Sequence, residues 1–333
     1  MKFVVKKVIR GLEEINLCFK RNRMILDIVL IIVGVWMVLY GADRLTEGAS
    51  ALARRMNVPE IIIGLTIVAA GTSAPELFVS LVSALKGTPD LAVGNVVGSN
   101  TMNCMLIVGC AAMVAPMTIS KSTVKKDIPF AVVASMVLLL LSLNSYLGRL
   151  DGVVLLAGFA IFMMYTLWQA KKGQAEPAPE QQKQQNPWAS MFFVVVGLAL
   201  LVLGSNIFVS HASSLAYALG ISEGVVGLTV VAGGTSLPEL ATSVVAARKG
   251  QSAIAIGNVI GSNVFNILLI LGLTATISPL EIEGITTLDM AVMLLSVVLV
   301  WLFSRTRYTV ERWEGALLVG GYLVYLAWLI TSL

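Results

Sequence analysis

Two glutamates carry the most demanding chemistry in the sequence. Most of the 19 carboxylates fall at the ends of apolar runs or between them, but Glu76 and Glu239 lie in the middle of such runs. An acidic side chain at the centre of a bilayer costs roughly 2.5–3.5 kcal/mol even on lenient insertion scales, so a matched pair implies a compensating cation. A protonated glutamate hydrogen-bonded to a neighbouring helix would explain one such residue, but explains a matched pair less well. Thr72 and Ser73 precede Glu76 just as Thr235 and Ser236 precede Glu239, and Thr and Glu at i and i+4 predict one shared helical face. Pro75 and Pro238 lack an N–H and so free the carbonyls of Gly71 and Gly234. A helix broken in this way is tolerated at membrane depth where it lines a cavity. In the following apolar runs Ser99 and Asn103, then Ser262 and Asn266, repeat the i, i+4 spacing. Carboxylate, hydroxyl, amide and carbonyl oxygens suit a hard cation such as Ca²⁺, which takes about 6–8 oxygens at roughly 2.3–2.6 Å. Na⁺ seeks the same donors, and nothing here offers the sulfur or imidazole set of a transition-metal site.

The elements that must position these residues are membrane spans. Of 333 residues, 57% are hydrophobic and 13% charged, with a mean hydropathy of +0.87, against about 25% charged in soluble proteins. Ten apolar runs are predicted as helices, at 25–43, 60–85, 91–115, 127–146, 150–169, 188–210, 223–247, 253–275, 286–304 and 313–331. Runs of this length in lipid satisfy their backbone as helices rather than as barrel strands. Residues 1–23 form a basic extension that could lie at the interface as an amphipathic helix. Residues 171–187, KKGQAEPAPEQQKQQNP, are a Pro/Gln-rich linker between two halves, 24–170 and 188–333.

The halves are copies of each other. At an offset of 163, GLTIVAAGTSAPELFVSLVSALKG (64–87) lies on GLTVVAGGTSLPELATSVVAARKG (227–250), and LAVGNVVGSNTMNCMLIVG (91–109) lies on IAIGNVIGSNVFNILLILG (254–272). From 64 to 109, 27 of 46 positions are identical to their partners. Because the offset contains five predicted spans, an odd number, the second copy crosses the membrane in the opposite direction. The expected fold is therefore an all-α polytopic membrane protein of about ten helices, arranged as two inverted five-helix repeats. Such repeats characterise secondary transporters, with the substrate near the midplane where the repeats meet. Gly94, Gly98, Gly257 and Gly261 recur at small-xxx-small spacing, which lets helices approach closely. Asn95, Asn100, Asn258 and Asn263 fit cavity lining and helix packing equally well.

The remaining composition narrows the function. Three cysteines form no metal-ligand or disulfide pattern, and His211, the only histidine, cannot build a zinc or haem site alone. The net charge of +4 is spread over loops and indicates no nucleic-acid partner. An enzyme is not expected, since no nucleophile–base pair or pair of intramembrane aspartates is present. A cation channel is the alternative of another class, but channels build filters around an oligomer axis, whereas here one chain holds a full donor set.

The GTSAPE and GTSLPE segments, each followed by GNVxGSNxxN, resemble the α-repeats of the calcium/cation antiporter superfamily, in particular its bacterial and archaeal sodium/calcium exchanger-like branch. The resemblance covers the chain from Met24 onward. It implies ligands at Ala69, Thr72, Ser73, Glu76, Ser99 and Asn103, and at Ala232, Thr235, Ser236, Glu239, Ser262 and Asn266, with the alanines acting through their carbonyls. It also implies Ca²⁺ exchanged against Na⁺ by alternating access, in the plasma membrane (the bacterial inner membrane). The partners are inorganic cations and the lipid bilayer, with no cofactor beyond the transported ions. Proton coupling is the alternative within the superfamily, although the GNxxE-type motifs of that branch are absent. Potassium-dependent relatives carry Asp where this chain has Asn266, so transport without K⁺ is expected.

Charge asymmetry sets an expected orientation. Beyond residue 23, the loops after odd-numbered spans hold 14 Lys/Arg and those after even-numbered spans hold two, Lys86 and Arg149. The positive-inside rule then places the 171–187 linker in the cytoplasm and both termini outside. Cysteines introduced into the linker should be labelled only by membrane-permeant reagents in whole cells; labelling by impermeant ones overturns the assignment.

Overall fold

The computed structural model describes residues 2–171, 187–219 and 232–332, with the side chains of 2–22, 187, 232 and 332 left aside. The chain is a mostly helical, multi-span membrane protein. Helix α1 (Lys2–Met56) runs without a break through residue 23 and past residue 43, the expected end of the first span. Its polar stretch remains helical because Arg44 pairs with Asp43 at 2.7 Å and Glu47 at 2.9 Å, while Ala42, Leu45, Ala49 and Ala53 bury one face. The left-handed Asn57 (φ 53°), followed by Pro59, ends the helix.

Helices α2 (Glu60–Thr72) and α3 (Ala74–Leu85) form one broken element, bent by 46°. They are followed by α4 (Pro89–Val114), a π-helical turn Thr123–Asp127 leading into α5 (Ile128–Leu141), and α6 (Arg149–Lys171). The second half contains α7 (Pro187–Ala218), α8 (Ala232–Thr235), α9 (Leu237–Arg248), α10 (Ser252–Ile277), α11 (Thr287–Arg305) and α12 (Arg312–Ser332). Among the described residues, seven helices are long and apolar enough to cross a membrane, and the bent α2–α3 pair makes eight. Of the other two expected spans, 127–146 corresponds to α5, whose regular part is 14 residues. The first part of 223–247, like the 171–187 linker, lies largely outside the described residues, and the rest is the broken pair α8–α9.

The packing retains the sequence duplication. α4 and α10 are the deeply buried helices, whereas the apolar stretches of α1, α6, α7 and α12 are largely exposed, as lipid-facing helices are. Strand β1 (Met117–Thr118) pairs antiparallel with β4 (Thr309–Val310), and β2 (Tyr146–Leu147) with β3 (Leu280–Glu281). Each ladder joins one half to the other, and the 163-residue offset converts one ladder into the other. The same offset relates Ile119 N–H···O=C Tyr308 (2.8 Å) to Ile282 N–H···O=C Ser145 (2.9 Å).

α1 and α7 make the most extensive helix–helix contact, and glycines allow the close approach. A Cβ on Gly197 would lie 2.6 Å from the Leu45 nitrogen and 2.8 Å from the Gly41 carbonyl oxygen, both backbone atoms that cannot yield. Gly197→Leu should therefore separate the two helices, at an overpacking cost of about 1–3 kcal/mol. The thermal unfolding midpoint in detergent should fall; an unchanged midpoint refutes the close packing.

Candidate cation site

The site forms where two helices restart. At Ser73 (φ −80°, ψ 7°) and Ser236 (φ −89°, ψ 6°) the backbone leaves the helix, and α3 and α9 begin beside Pro75 and Pro238. Proline is at home in a first turn, where its missing N–H is not needed. Glu76 and Glu239 therefore lie in the first turns of α3 and α9, where the positive end of the helix dipole favours an anion. Both side chains are fully buried.

One serine hydrogen bond to each of these carboxylates crosses between the halves. Ser73 Oγ donates to Glu239 Oε1 at 3.1 Å, and Ser236 Oγ donates to Glu76 Oε1 at 3.2 Å. Ser262 Oγ adds a second bond to Glu239 Oε1, at 3.4 Å. Asn95 Nδ2 holds the Glu76 carbonyl (3.2 Å) and Ser80 Oγ (2.9 Å), and Asn258 Nδ2 holds the Glu239 carbonyl (3.3 Å) and Ser243 Oγ (3.0 Å). Asn103 Nδ2 donates to Asn263 Oδ1 at 3.0 Å, and Asn266 Nδ2 donates to Asn100 Oδ1 at 2.9 Å. Each of these amides commits its nitrogen across the interface, which leaves its oxygen directed elsewhere.

Four buried oxygens are left over. Glu76 Oε2, Glu239 Oε2, Asn103 Oδ1 and Asn266 Oδ1 have no hydrogen-bond partner among the described residues. They form two pairs related by the duplication, and an unpartnered buried acceptor costs about 1–3 kcal/mol, more when charged. Neither glutamate has a Lys, Arg or His ion-pair partner among the described residues. No group of three or more His, Cys, Asp or Glu forms there either, so two carboxylates supply the charge and neutral oxygens complete the set. That donor chemistry fits a hard cation.

The expected ligands fall into three groups. Glu76, Glu239, Ser73, Ser236, Ser262, Asn103 and Asn266 are joined in the network above, and Ser99 is buried at the position matching Ser262. Thr72 and Thr235 do not share a continuous helical face with the glutamate four residues on, because the helix breaks at Ser73 and Ser236. Each hydroxyl bears instead on the glutamate of the opposite half, Thr72 on Glu239 and Thr235 on Glu76. The Thr72 hydroxyl also lies 3.0 Å from Asn258 Oδ1 and 3.1 Å from the Val68 carbonyl. The Ala69 carbonyl already accepts the Ser73 N–H at 3.0 Å. Only the backbone of Ala232, at the start of α8, is described. The Gly234 carbonyl that Pro238 frees is taken by the Ser205 hydroxyl.

Sequence reasoning missed Ser80 and Ser243, and left the four further asparagines open between lining and packing. Their recurrence at the offset of 163 was the available signal. The structure assigns Asn95 and Asn258 to bracing the glutamate turns, and Asn100 and Asn263 to orienting the amides opposite. His211 bonds through Nδ1 to Asp27 Oδ1 at 2.8 Å, near one end of the α1–α7 pair and outside this network. A π-helical turn starts at Asn103 and another at Phe265 beside Asn266, a distortion frequent at functional sites.

Comparison with known proteins points to one family. The family model described as sodium/calcium exchanger protein matches the chain twice, over 26–168 and 189–331. The inner membrane protein YrbG of Escherichia coli is 39% identical over 316 residues, covering 92% of this chain and 97% of YrbG. The sodium/calcium exchanger MaX1 of Methanosarcina acetivorans is 31% identical over 340 residues, covering 90% of this chain and 97% of MaX1. The solved structure of the sodium-calcium exchanger NCX_Mj, soaked with Na⁺ and Sr²⁺, superposes with a TM-score of 0.81 at 32% identity, covering 91% of this chain and 98% of that one.

The amide network makes a prediction of its own. Asn263→Ala removes the acceptor that orients Asn103 and should weaken Ca²⁺-induced thermal stabilisation of the purified protein by roughly 5- to 10-fold in apparent Kd, from about 1–1.5 kcal/mol per lost bond. A wild-type Kd would show that Asn103 needs no such orientation.

Proposed function

The chain belongs to the sodium/calcium exchanger family, and from that membership we propose that it exchanges Ca²⁺ against Na⁺ by alternating access at the paired-glutamate site. The observation that carries this reading is the symmetric set of four unpartnered oxygens on Glu76, Glu239, Asn103 and Asn266. With both glutamates ionised the site has a formal charge of −2, which one Ca²⁺ neutralises. Na⁺ competing for the same oxygens makes the two ions mutually exclusive, and mutual exclusion is the basis of exchange. Thr72, Thr235, Ser73, Ser236, Ser99 and Ser262, with the carbonyls of Ala69 and Ala232, complete the proposed donor set.

The proposed frame is ten transmembrane helices in two inverted repeats, within the plasma membrane, the bacterial inner membrane. The ladders and hydrogen bonds exchanged by the 163-residue offset support it. Asn266 matches Asn103 across the halves and contributes an oxygen without charge. Adding K⁺ to bound Ca²⁺ would leave positive charge uncompensated in a low-dielectric site, where close charges interact strongly. Transport is therefore proposed to need no K⁺.

Reconstitution into proteoliposomes tests the reading. An outward Na⁺ gradient should drive ⁴⁵Ca²⁺ uptake that persists when K⁺ is replaced by choline, and a pH gradient alone should drive none. Glu76→Gln and Glu239→Gln should each reduce the flux to background, because the isosteric amide removes half of the site's charge while keeping its shape. Wild-type flux in either variant, or uptake that follows only the pH gradient, refutes sodium–calcium exchange at this site.

A further inference from the structure

The duplication is broken at one contact between a site helix and the α1–α7 pair. Lys249 follows α9 directly, and its ammonium lies 2.6 Å from Asp43 Oδ1, 2.9 Å from the Asp43 carbonyl and 3.1 Å from Thr46 Oγ1. A lysine ammonium has three donors, and here all three point to acceptors on α1. Arg44 braces the acceptor side by bridging Asp43 and Glu47, with its guanidinium over the rings of Tyr40 and Phe193.

At the 163-residue offset, Lys86 matches Lys249, but Asn206 stands for Asp43 and Val209 for Thr46. The lysine is kept, while the carboxylate and the hydroxyl opposite it are absent. Lys86 and Asn206 are exposed, and Lys86 has no ion-pair partner among the described residues. Helix packing is uneven in the same sense: α1 packs along α9, whereas α7 makes no comparable contact with α3.

In an inverted-repeat transporter one repeat or bundle rocks against the other around a fixed site, and because the repeats are copies, exchanging their local conformations generates the state of opposite access. After that exchange, α7 packs along α3 and α1 leaves α9. Lys249 then loses Asp43 and Thr46, and Lys86 meets a neutral amide and a valine. We infer that the contact of Lys249 with Asp43 and Thr46 is a one-sided latch that holds the access state seen here and has no charged equivalent in the other. The latch rests on the alternating-access reading and goes beyond it by assigning the resting bias of the carrier to residues outside the ion site. The pair is partly exposed, with side chains 30% and 35% accessible. Exposed ion pairs of this kind are worth a fold-change of roughly 1.5 to 5 in a two-state ratio.

Distance measurement between α1 and α9 tests the latch without relying on ion flux. Spin labels are placed at Leu39→Cys and Arg248→Cys, with Cys18, Cys104 and Cys110 replaced, and the protein is held in lipid nanodiscs in Na⁺. The expected distribution has a short and a long population with the short one in excess. Asp43→Asn should lower the short-to-long ratio by roughly 1.5- to 5-fold. Lys249→Gln should do the same, with no further change in the double variant. Asn206→Asp, which supplies the missing carboxylate opposite Lys86, should also lower the ratio, by stabilising the opposite state. Ratios unchanged in both Asp43→Asn and Asn206→Asp, or one population that neither variant shifts, overturn the latch. Shifted populations in a protein without Na⁺/Ca²⁺ flux would support the latch and count against the exchange reading alone.

Discussion

The rest of the structure depends on the cost of holding two carboxylates away from water inside a membrane protein. Glu76 and Glu239 are fully buried with no basic partner among the described residues, and at low dielectric an uncompensated pair of this kind is expensive. Each surrounding feature offsets part of that cost. The helices break so that each glutamate sits in a first turn, near unpaired N–H groups and the positive end of a dipole. A serine from the opposite half binds one oxygen of each carboxylate. One oxygen per carboxylate is left without a donor, and a cation is the natural complement to that remainder.

Because the donors are traded across the halves, neither repeat can build the site alone. Ser73 serves Glu239 and Ser236 serves Glu76; Asn263 orients Asn103 and Asn100 orients Asn266. The two short β-ladders follow the same rule, each joining one half to the other. α4 and α10 carry the asparagine network and are the most buried helices, so the amides rest on the least deformable part of the molecule. The broken helices, which carry the carboxylates, meet the long lipid-facing pair α1 and α7. Leu198 of α7 lies against Gly71, and Val209 of α7 against Gly234, each where a Cβ on the glycine would clash. The glycines beside the site thus let side chains of α7 lie directly on the helix breaks.

Much of this was legible in the sequence, because duplication turns single weak signals into matched pairs. The two mid-span glutamates, the Pro-induced breaks and the serines and asparagines of the GNVxGSNxxN segments all identified themselves by recurring at one offset. Spacing arguments failed where they assumed a continuous helix: Thr72 and Glu76 are i and i+4 in sequence but lie on either side of the break at Ser73. Contacts between distant positions were also invisible, such as Ser205 on the Gly234 carbonyl and His211 on Asp27. The end of α1 was misplaced for a different reason. Charged residues after position 43 look like a loop, yet Asp43, Arg44 and Glu47 satisfy one another and Lys249 on the helix itself.

Symmetry and its absence divide the work. The oxygens at the site are matched pair by pair, so an ion placed between the halves would meet equivalent donor types from either side. A device built only from matched pairs would leave the two access states equal in energy as far as the protein is concerned. Any preferred access state must then come from positions where the copies differ. Among the helix contacts around the site, the differences concentrate where α1 and α7 meet the broken helices: Asp43 against Asn206, Thr46 against Val209, and Ser205 against Ala42. None of these positions belongs to the donor set, so substitutions there can change orientation while leaving the ion's first neighbours untouched. A duplicated transporter can thus hold its chemistry fixed by symmetry and adjust the balance between its access states through a few peripheral contacts.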